Sequence, residues 1–489
     1  MTSLSRTTLG ALPAGVARPD YDTTRTATGI VHLGLGNFHR AHQAVYTDQV
    51  LARDPSWGIC GVSLRSAGVT AELARQDHLY TVTSRDPGGK TTRVIGSVHE
   101  ALAGATQQAV VLGAIAAPAT RIVSLTITEK GYCHDTASGR LNRAHPDIAH
   151  DLAHPAAPRS APGVLLQGLR RRLAHGTPLT VLSCDNLPHN GATTRALLIE
   201  MAGLTDEPLA QWIGAALAFP SCMVDRIVPA TTQADHESVR ALGIDDAAPV
   251  ATEPFTQWVI EDTFAAGRPA WEAAGAQFVG DVAPFEMMKL RLLNGAHSAM
   301  AYLGYLAGHD YIWQASSEAA FQGLVERLWA ELEPTLPPSL ARTPGVDLAA
   351  YKRELMQRFR NSALPHRTWQ IAMDGSQKLP QRLFAAALER IGRGESIDTI
   401  ALTIAGWMRY AAGRDEKGNA IDVRDPLAAE FARVAAAAGS DIEALGRGLL
   451  GIEAMFGTAL PREPKFVEPV LAHLRQLFAR GARAVLTPT

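Results

Sequence analysis

The chain has 489 residues, 46% hydrophobic and 19% charged, with a formal net charge of −2. That length exceeds one typical core and predicts two domains. The charge balance gives no electrostatic case for a nucleic-acid or anionic-membrane partner. The N-terminal stretch to Tyr21 has only a weak apolar patch broken by Gly and Pro, a poor signal peptide. Apolar residues 30–35 then read as a short strand, followed by a helical pattern over Phe38–Leu51. Residues 57–64 form a second strand candidate, and a helical stretch lies near Val69–Arg75. Residues 79–84 and 91–98 read as two further strands. A helical segment at Gln107–Ala116 leads into a β-branched strand at 121–128. Residues 161–175 read as a helix with a basic face at Arg170, Arg171 and Arg172, and 178–184 as another buried strand. The alternation predicts a parallel sheet with helices on both faces.

After about residue 280 strand-like runs become scarce. Helical periodicity recurs near 283–308, 315–332, 348–360, 381–392, 396–412, 426–438, 441–456 and 467–481. The expected domains are 1–280, α/β, and 281–489, mostly helical. Pro/Ala-rich residues 155–162 and the RTPGVD run at 342–347 read as surface loops. No apolar run reaches the roughly 18–20 residues that span a bilayer. Cys60, Cys133, Cys184 and Cys222 fit neither a disulfide framework nor a C-x-x-C metal site. A reducing cytoplasm is the expected compartment.

Gly34-x-Gly36 closes the first strand and opens a helix. The first glycine permits a tight turn, and the second lets backbone approach a pyrophosphate at the helix N-terminus. His39 stands where a third glycine would complete G-x-G-x-x-G. Phe38 is expected to take up the packing there, and Arg40 to offer a phosphate partner. An ordinary strand–turn–helix would also accept these residues. The second strand ends without an acid, and Arg65 and Ser66 stand there instead, which leans toward tolerance of a 2′-phosphate.

The richest chemistry lies in KLRLLNGAH, residues 289–297. At about 100° per residue, Lys289, Asn294 and His297 span an arc of roughly 140° on a helix. A desolvated lysine is a general base, an asparagine amide stabilises an alkoxide, and a histidine fixes a substrate hydroxyl. The polar face of any amphipathic helix would carry the same types. SCDNLPHNG, residues 183–191, follows a strand, and Asn186 there could face a reaction centre. Asx turn chemistry would use the same composition. Asp225 closes another apolar run, where a turn or buried ion pair is the ordinary reading. Residues 365–382 gather His366, Arg367, Trp369, Lys378 and Arg382. Arg367 suits bidentate recognition of a carboxylate, although a basic surface loop would look alike. No H-E-x-x-H, cysteine-rich metal set or G-x-S-x-G is present, which argues against zinc-dependent oxidation and serine hydrolysis.

Six stretches together, GLGNFHRAHQAVYTD, VSLTITEKGYC, SCDNLPHNG, FPSCMVDRIVPAT, EPFTQWVIED and KLRLLNGAHS, resemble the polyol-specific long-chain dehydrogenases, the mannitol dehydrogenase family. The likeness runs from about residue 28 to the C-terminus. It implies a Rossmann-type doubly wound sheet followed by a mostly α-helical domain, with a cleft between them. It implies metal-independent, NAD(P)-dependent interconversion of a sugar alcohol and a ketose, with NAD the expected cofactor and NADP the alternative. Carried over, Lys289 is the general base, Asn186 and Asn294 form the oxyanion site, and His297, Asp225 and Lys378 lie on the substrate side. TEKGYC, EMMKLRLLNG, HRTWQIAMDGSQKLPQR and GWMRY lean toward the branch that interconverts D-mannonate and D-fructuronate. Polyol-oxidising members read glycine where Lys130 stands and arginine where Gln370 stands. Lys130 or Arg367 would meet the uronate carboxylate. The expected partner is a small sugar acid or polyol, with no nucleic acid or membrane, and the protein a monomer or dimer.

Overall fold

The computed structural model describes residues 1–135, 138–343 and 346–487; positions 344 and 345 of the expected 342–347 loop lie outside them. The chain divides into two compact units, Met1–Ala283 and Pro284–Thr489.

The first unit is built on a six-stranded sheet. In chain order its strands are β1 (Thr28–Leu33), β2 (Gly58–Ser63), β3 (Val98–Ala103), β4 (Ile122–Leu125), β5 (Leu179–Ser183) and β6 (Leu217–Ala218). They lie in the order β6-β5-β4-β1-β2-β3. Every pairing is parallel. This is the doubly wound arrangement, and its strand order reverses at β1, between β4 and β2. Buried side chains fill both faces: Val31, Leu33, Val123 and Val181 on one side, Ile30, Ile59, Ile122 and Leu182 on the other. Such two-sided burial explains why these strands read as unbroken apolar runs.

Three local features differ from the sequence reading. Residues 80–86 and 89–95 are an antiparallel hairpin, not members of the main sheet. It joins Val250–Thr252 and Val16–Ala17 in a separate four-stranded sheet. The Asp86-Pro87-Gly88-Gly89 sequence between its strands is a turn signal. The helix expected over 38–51 is interrupted at His42, giving helices Asn37–Ala41 and Gln43–Asp48. His42 reaches the Gln257 carbonyl at 3.1 Å. The basic face at 170–172 is only partly a face, since Arg172 is buried. Its guanidinium donates to the carbonyls of Ile115, Ala117, Thr120, Thr177 and Pro178. A buried cation is tolerable because these oxygens replace its water.

The second unit is helical throughout its named elements. Helix Asp398–Ala411 is buried on every side and packs against helices Gly295–Leu306 and Pro464–Arg480. A helix apolar all round belongs in the middle of a bundle. Gly406 lets Leu303 approach it: an added Cβ would sit 2.8 Å from that side chain.

Candidate functional site

The turn after β1 is shaped by two glycines with separate jobs. Gly34 has φ +106°, and an added Cβ would lie 2.1 Å from the Thr126 carbonyl oxygen. Its backbone N–H and that of Leu35 both donate to the Val62 carbonyl, at 2.9 and 3.0 Å. Gly36 is exposed, and the nearest atom to an added Cβ there is 3.7 Å away. It caps helix Asn37–Ala41 with no side-chain partner. The first N–H groups of that helix are left without a side-chain cap, an arrangement that suits a pyrophosphate. Phe38 stacks on the His42 ring, with centroids 5.0 Å apart. Arg65 is exposed, just past the end of β2.

Arg40 corrects the expectation of a phosphate contact. Only 4% exposed, it donates to the Ala248 carbonyl and to Asn37 Oδ1. Tyr80 covers its guanidinium and donates its hydroxyl to the Arg40 carbonyl. Its donors hold the fold together and are turned away from solvent.

Beneath the turn lies a polar relay that the sequence reading missed. His32 Nδ1 lies 2.8 Å from Ser124 Oγ, which in turn donates to Gln43. His32 Nε2 is 2.8 Å from Thr126 Oγ1, and Thr126 donates to the Gly34 carbonyl. His39 stacks on His32 at 3.4 Å. Burial lowers His32 to about 3 and His39 well below its ordinary value. Both rings are neutral at pH 7 on that account.

At the same strand edge, Lys130 stands exposed in the Glu129–Tyr132 turn after β4, and Asn186 stands exposed after β5. Asp185 lies next to Asn186. Its carboxylate accepts from the Ile127 and Thr128 N–H groups, at 2.9 and 3.0 Å, and from the Tyr132 hydroxyl at 2.8 Å. Desolvation pushes Asp185 up to about 6 against these bonds. Asp225 closes its strand and is buried.

In the second unit Lys289 begins a π-helical turn, Lys289–Asn294, that runs into helix Gly295–Leu306. The Gly295 N–H bonds the Leu290 carbonyl, five residues back. In a π turn residues five apart fall on the same side of the helix, so Lys289 and Asn294 share one face. The arc drawn at α-helical spacing is corrected accordingly. His297 follows one α-turn later and is 6% exposed. Its Nε2 is buried without a hydrogen-bond partner among the described residues. Its ring packs against Phe359 and His366. Burial pushes His297 well below its ordinary value, and His366, Arg382, Arg358 and Lys378 push the same way.

A second π turn, Pro380–Phe384, packs on the first. Pro380 has no N–H to give and obstructs the preceding turn, a recognised cause of helix widening. Arg382 from this turn donates to the Asn294 carbonyl at 3.2 Å and to Ser298 Oγ at 3.0 Å. Lys378 donates to the Ile371 and Met373 carbonyls, at 3.2 and 2.6 Å. Arg367 is exposed, 5.6 Å from the Tyr311 ring centroid. The second unit thus gathers Lys289, Asn294, His297, His366, Lys378 and Arg382 around two packed wide turns. Among the described residues no group of three or more His, Cys, Asp or Glu could hold a metal ion, and no helix is long and apolar enough to cross a membrane.

Comparison with known proteins gives a consistent answer. Residues 28–273 match the mannitol dehydrogenase Rossmann domain, and residues 281–478 the mannitol dehydrogenase C-terminal domain. An uncharacterized oxidoreductase of Escherichia coli (strain K12), YeiQ, is 46% identical over 484 residues, with 98% of each chain covered. The D-mannonate oxidoreductase of the same organism is 47% identical over 476 residues, covering 96% of this chain and 97% of the relative. The Pseudomonas fluorescens mannitol 2-dehydrogenase, solved as a ternary complex with NAD and D-mannitol, superposes with a TM-score of 0.89 at 40% identity, covering 99% of both chains. The chain is an oxidoreductase that belongs to the mannitol dehydrogenase family.

Proposed function

We propose that this chain is an NAD-dependent oxidoreductase that interconverts D-mannonate and D-fructuronate without a metal. The observation that carries the chemistry is the π turn that puts Lys289 and Asn294 on one helix face, one helical turn before a buried imidazole whose Nε2 is unspent. The Gly36 cradle and the N–H groups of helix Asn37–Ala41 fit a dinucleotide pyrophosphate. Bound NAD supplies the hydride acceptor. Lys289 takes the hydroxyl proton during oxidation of C5 and returns it during reduction of the ketone. The Asn294 amide donates to the oxygen as it gains alkoxide character, and the same role is assigned to Asn186. Neutral His297 presents Nε2 to a substrate hydroxyl. Lys378 and Asp225 are assigned to the substrate, Phe38 to packing at the nucleotide turn, and Arg65 to the adenosine ribose.

The sugar-acid assignment rests on the identity to a D-mannonate oxidoreductase and on Lys130 and Arg367, two exposed cations able to meet a carboxylate. The similarity to a mannitol 2-dehydrogenase supports a second reading, a neutral polyol substrate. The deciding experiment is NADH and NADPH oxidation with fructuronate, tagaturonate and fructose side by side. Turnover fastest with fructuronate and NADH is the expected result. Preference for fructose or tagaturonate overturns the substrate, and NADH binding without any turnover overturns the enzymatic reading.

A further inference from the structure

The loops that carry Lys130 and Asn186 leave adjacent parallel strands, β4 and β5, whose last residues Leu125 and Ser183 are in register. Nothing in that pairing fixes the loops once the strands end. The structure supplies the link through one carboxylate. Asp185 Oδ2 accepts from the Ile127 N–H and the Tyr132 hydroxyl, and Oδ1 accepts from the Thr128 N–H. Tyr132 is also 2.5 Å from Ser183 Oγ. On the far side of the loop, Asn190 donates to the Asp185 carbonyl and to the Cys222 carbonyl, and accepts from the Cys222 N–H. The segment 185–190 is therefore tied at both ends, with Asn186 exposed between the ties.

Two features show that this clamp is costly. Thr128 sits at φ +63°, ψ 161°, a region open to glycine and strained for a β-branched residue. The carboxylate that holds it is desolvated, and Glu129 adds like charge. Strain and a desolvated charge persist where geometry serves a site. Two residues back along the loop is Thr126, whose carbonyl abuts Gly34 and whose hydroxyl bonds the Gly34 carbonyl. The clamp is continuous with the nucleotide turn.

We propose that Asp185 is a positioning residue, whose carboxylate locks the β4 loop to the β5 loop and so sets Asn186 and Lys130 relative to the Gly34–Gly36 turn. This rests on the catalytic role proposed for Asn186. Asp185 acts through backbone N–H groups and touches no reacting atom. Asparagine at this position would turn an amide donor toward an N–H donor and release one side of the lock. The groups that face the carboxylate are Glu129 and Tyr132 from the β4 loop and the Cys184 thiol behind it.

The test compares wild type, Asp185→Asn, Asp185→Glu and Tyr132→Phe. Hydrogen exchange at the amides of 127 and 128 reports the clamp directly, and NADH affinity reports the nucleotide turn. In Asp185→Asn these amides should exchange faster, and kcat should fall roughly ten- to a hundredfold, with NADH affinity kept within about threefold. Asp185→Glu should recover part of kcat. Tyr132→Phe removes a bond that favours the ionised carboxylate, so an acid limb of kcat set by Asp185 should move upward. That shift is measurable even if Asp185→Asn folds poorly. Unaltered exchange, faster exchange with unaltered kcat, or an acid limb that ignores Tyr132→Phe each overturn the proposal. A wild type that turns over no sugar substrate sinks the functional reading instead, and amide exchange with NADH affinity still decides the clamp.

Discussion

Gly34 is pressed against Thr126: an added Cβ would lie 2.1 Å from the Thr126 carbonyl oxygen, at a φ of +106°. At Gly36, two positions on, an added Cβ would meet nothing closer than 3.7 Å. The two glycines should therefore fail in different ways. Gly34→Ala combines overpacking with a left-handed backbone and should cost about 2–4 kcal/mol of stability. Gly36→Ala should unfold like wild type yet bind NADH more weakly, because its methyl fills the pyrophosphate approach. Thermal unfolding and fluorescence titration with NADH separate the two. Tight NADH binding by Gly36→Ala would remove the cradle from the mechanism.

Lys289→Ala should lower kcat about 10²–10⁴-fold, the range of lost general acid–base catalysis. The residue lies in the second unit, so NADH affinity should be nearly intact. Steady-state kinetics beside a direct binding measurement checks this. Lost NADH binding with unaltered turnover at saturation would refute the assignment.

Arg367 faces solvent over Tyr311. If it meets a carboxylate, Arg367→Ala should raise KM for fructuronate about ten- to a hundredfold, the worth of a charged hydrogen bond. KM for fructose should barely move. Equal effects on both ketoses would end the carboxylate role, and Lys130→Ala would then be the variant to measure.

The buried histidines give stability a pH dependence of definite sign. His366 titrates near 4 in the folded chain, lowered first by burial and then by Lys378, against a usual 6.5. Below 6.5 the unfolded chain takes up a proton that the folded chain refuses until about 4. Stability is thus complete above about 6.5 and declines as pH falls through that window, by on the order of 2–3 kcal/mol for this residue. His32, lowered to about 3, adds in the same direction. The melting temperature of His366→Asn should fall less steeply than that of wild type between pH 7 and pH 4.5. Parallel slopes would show that His366 is not the group responsible.

Much of the first unit was legible because two-sided burial makes β1, β2, β4 and β5 continuous apolar runs. The hairpin at 80–95 was read as strands but not as a hairpin, since alternation speaks of strands and not of their partners. At the nucleotide turn, glycine was informative because it marks a backbone need. Arg40 misled because a charge in a sequence does not show whether it faces water, and here Tyr80, Ala248 and Asn37 enclose it. Asp185 went unremarked beside Asn186, because its significance lies in three donors brought from a loop more than fifty positions earlier in the chain. The lysine helix was found by residue type and spacing. Its wide turn was not, because nothing in KLRLLN forbids an ordinary α-helix, whereas Pro380 does announce the second one.

That wide turn makes the helix sensitive to counting. A π turn holds one residue more than an α turn spends on the same rise. Removing a single residue between 290 and 293 would let the segment relax to regular α-helix, which readily accepts these side chains. The bundle could then persist while everything before the deletion swings by about 100° relative to everything after it. Lys289 would leave Asn294 and His297 with no change in any of their identities. The phase of this helix, as much as its composition, is inherited information, and a descendant that lost one leucine here would keep its fold while turning Lys289 away from Asn294 and His297.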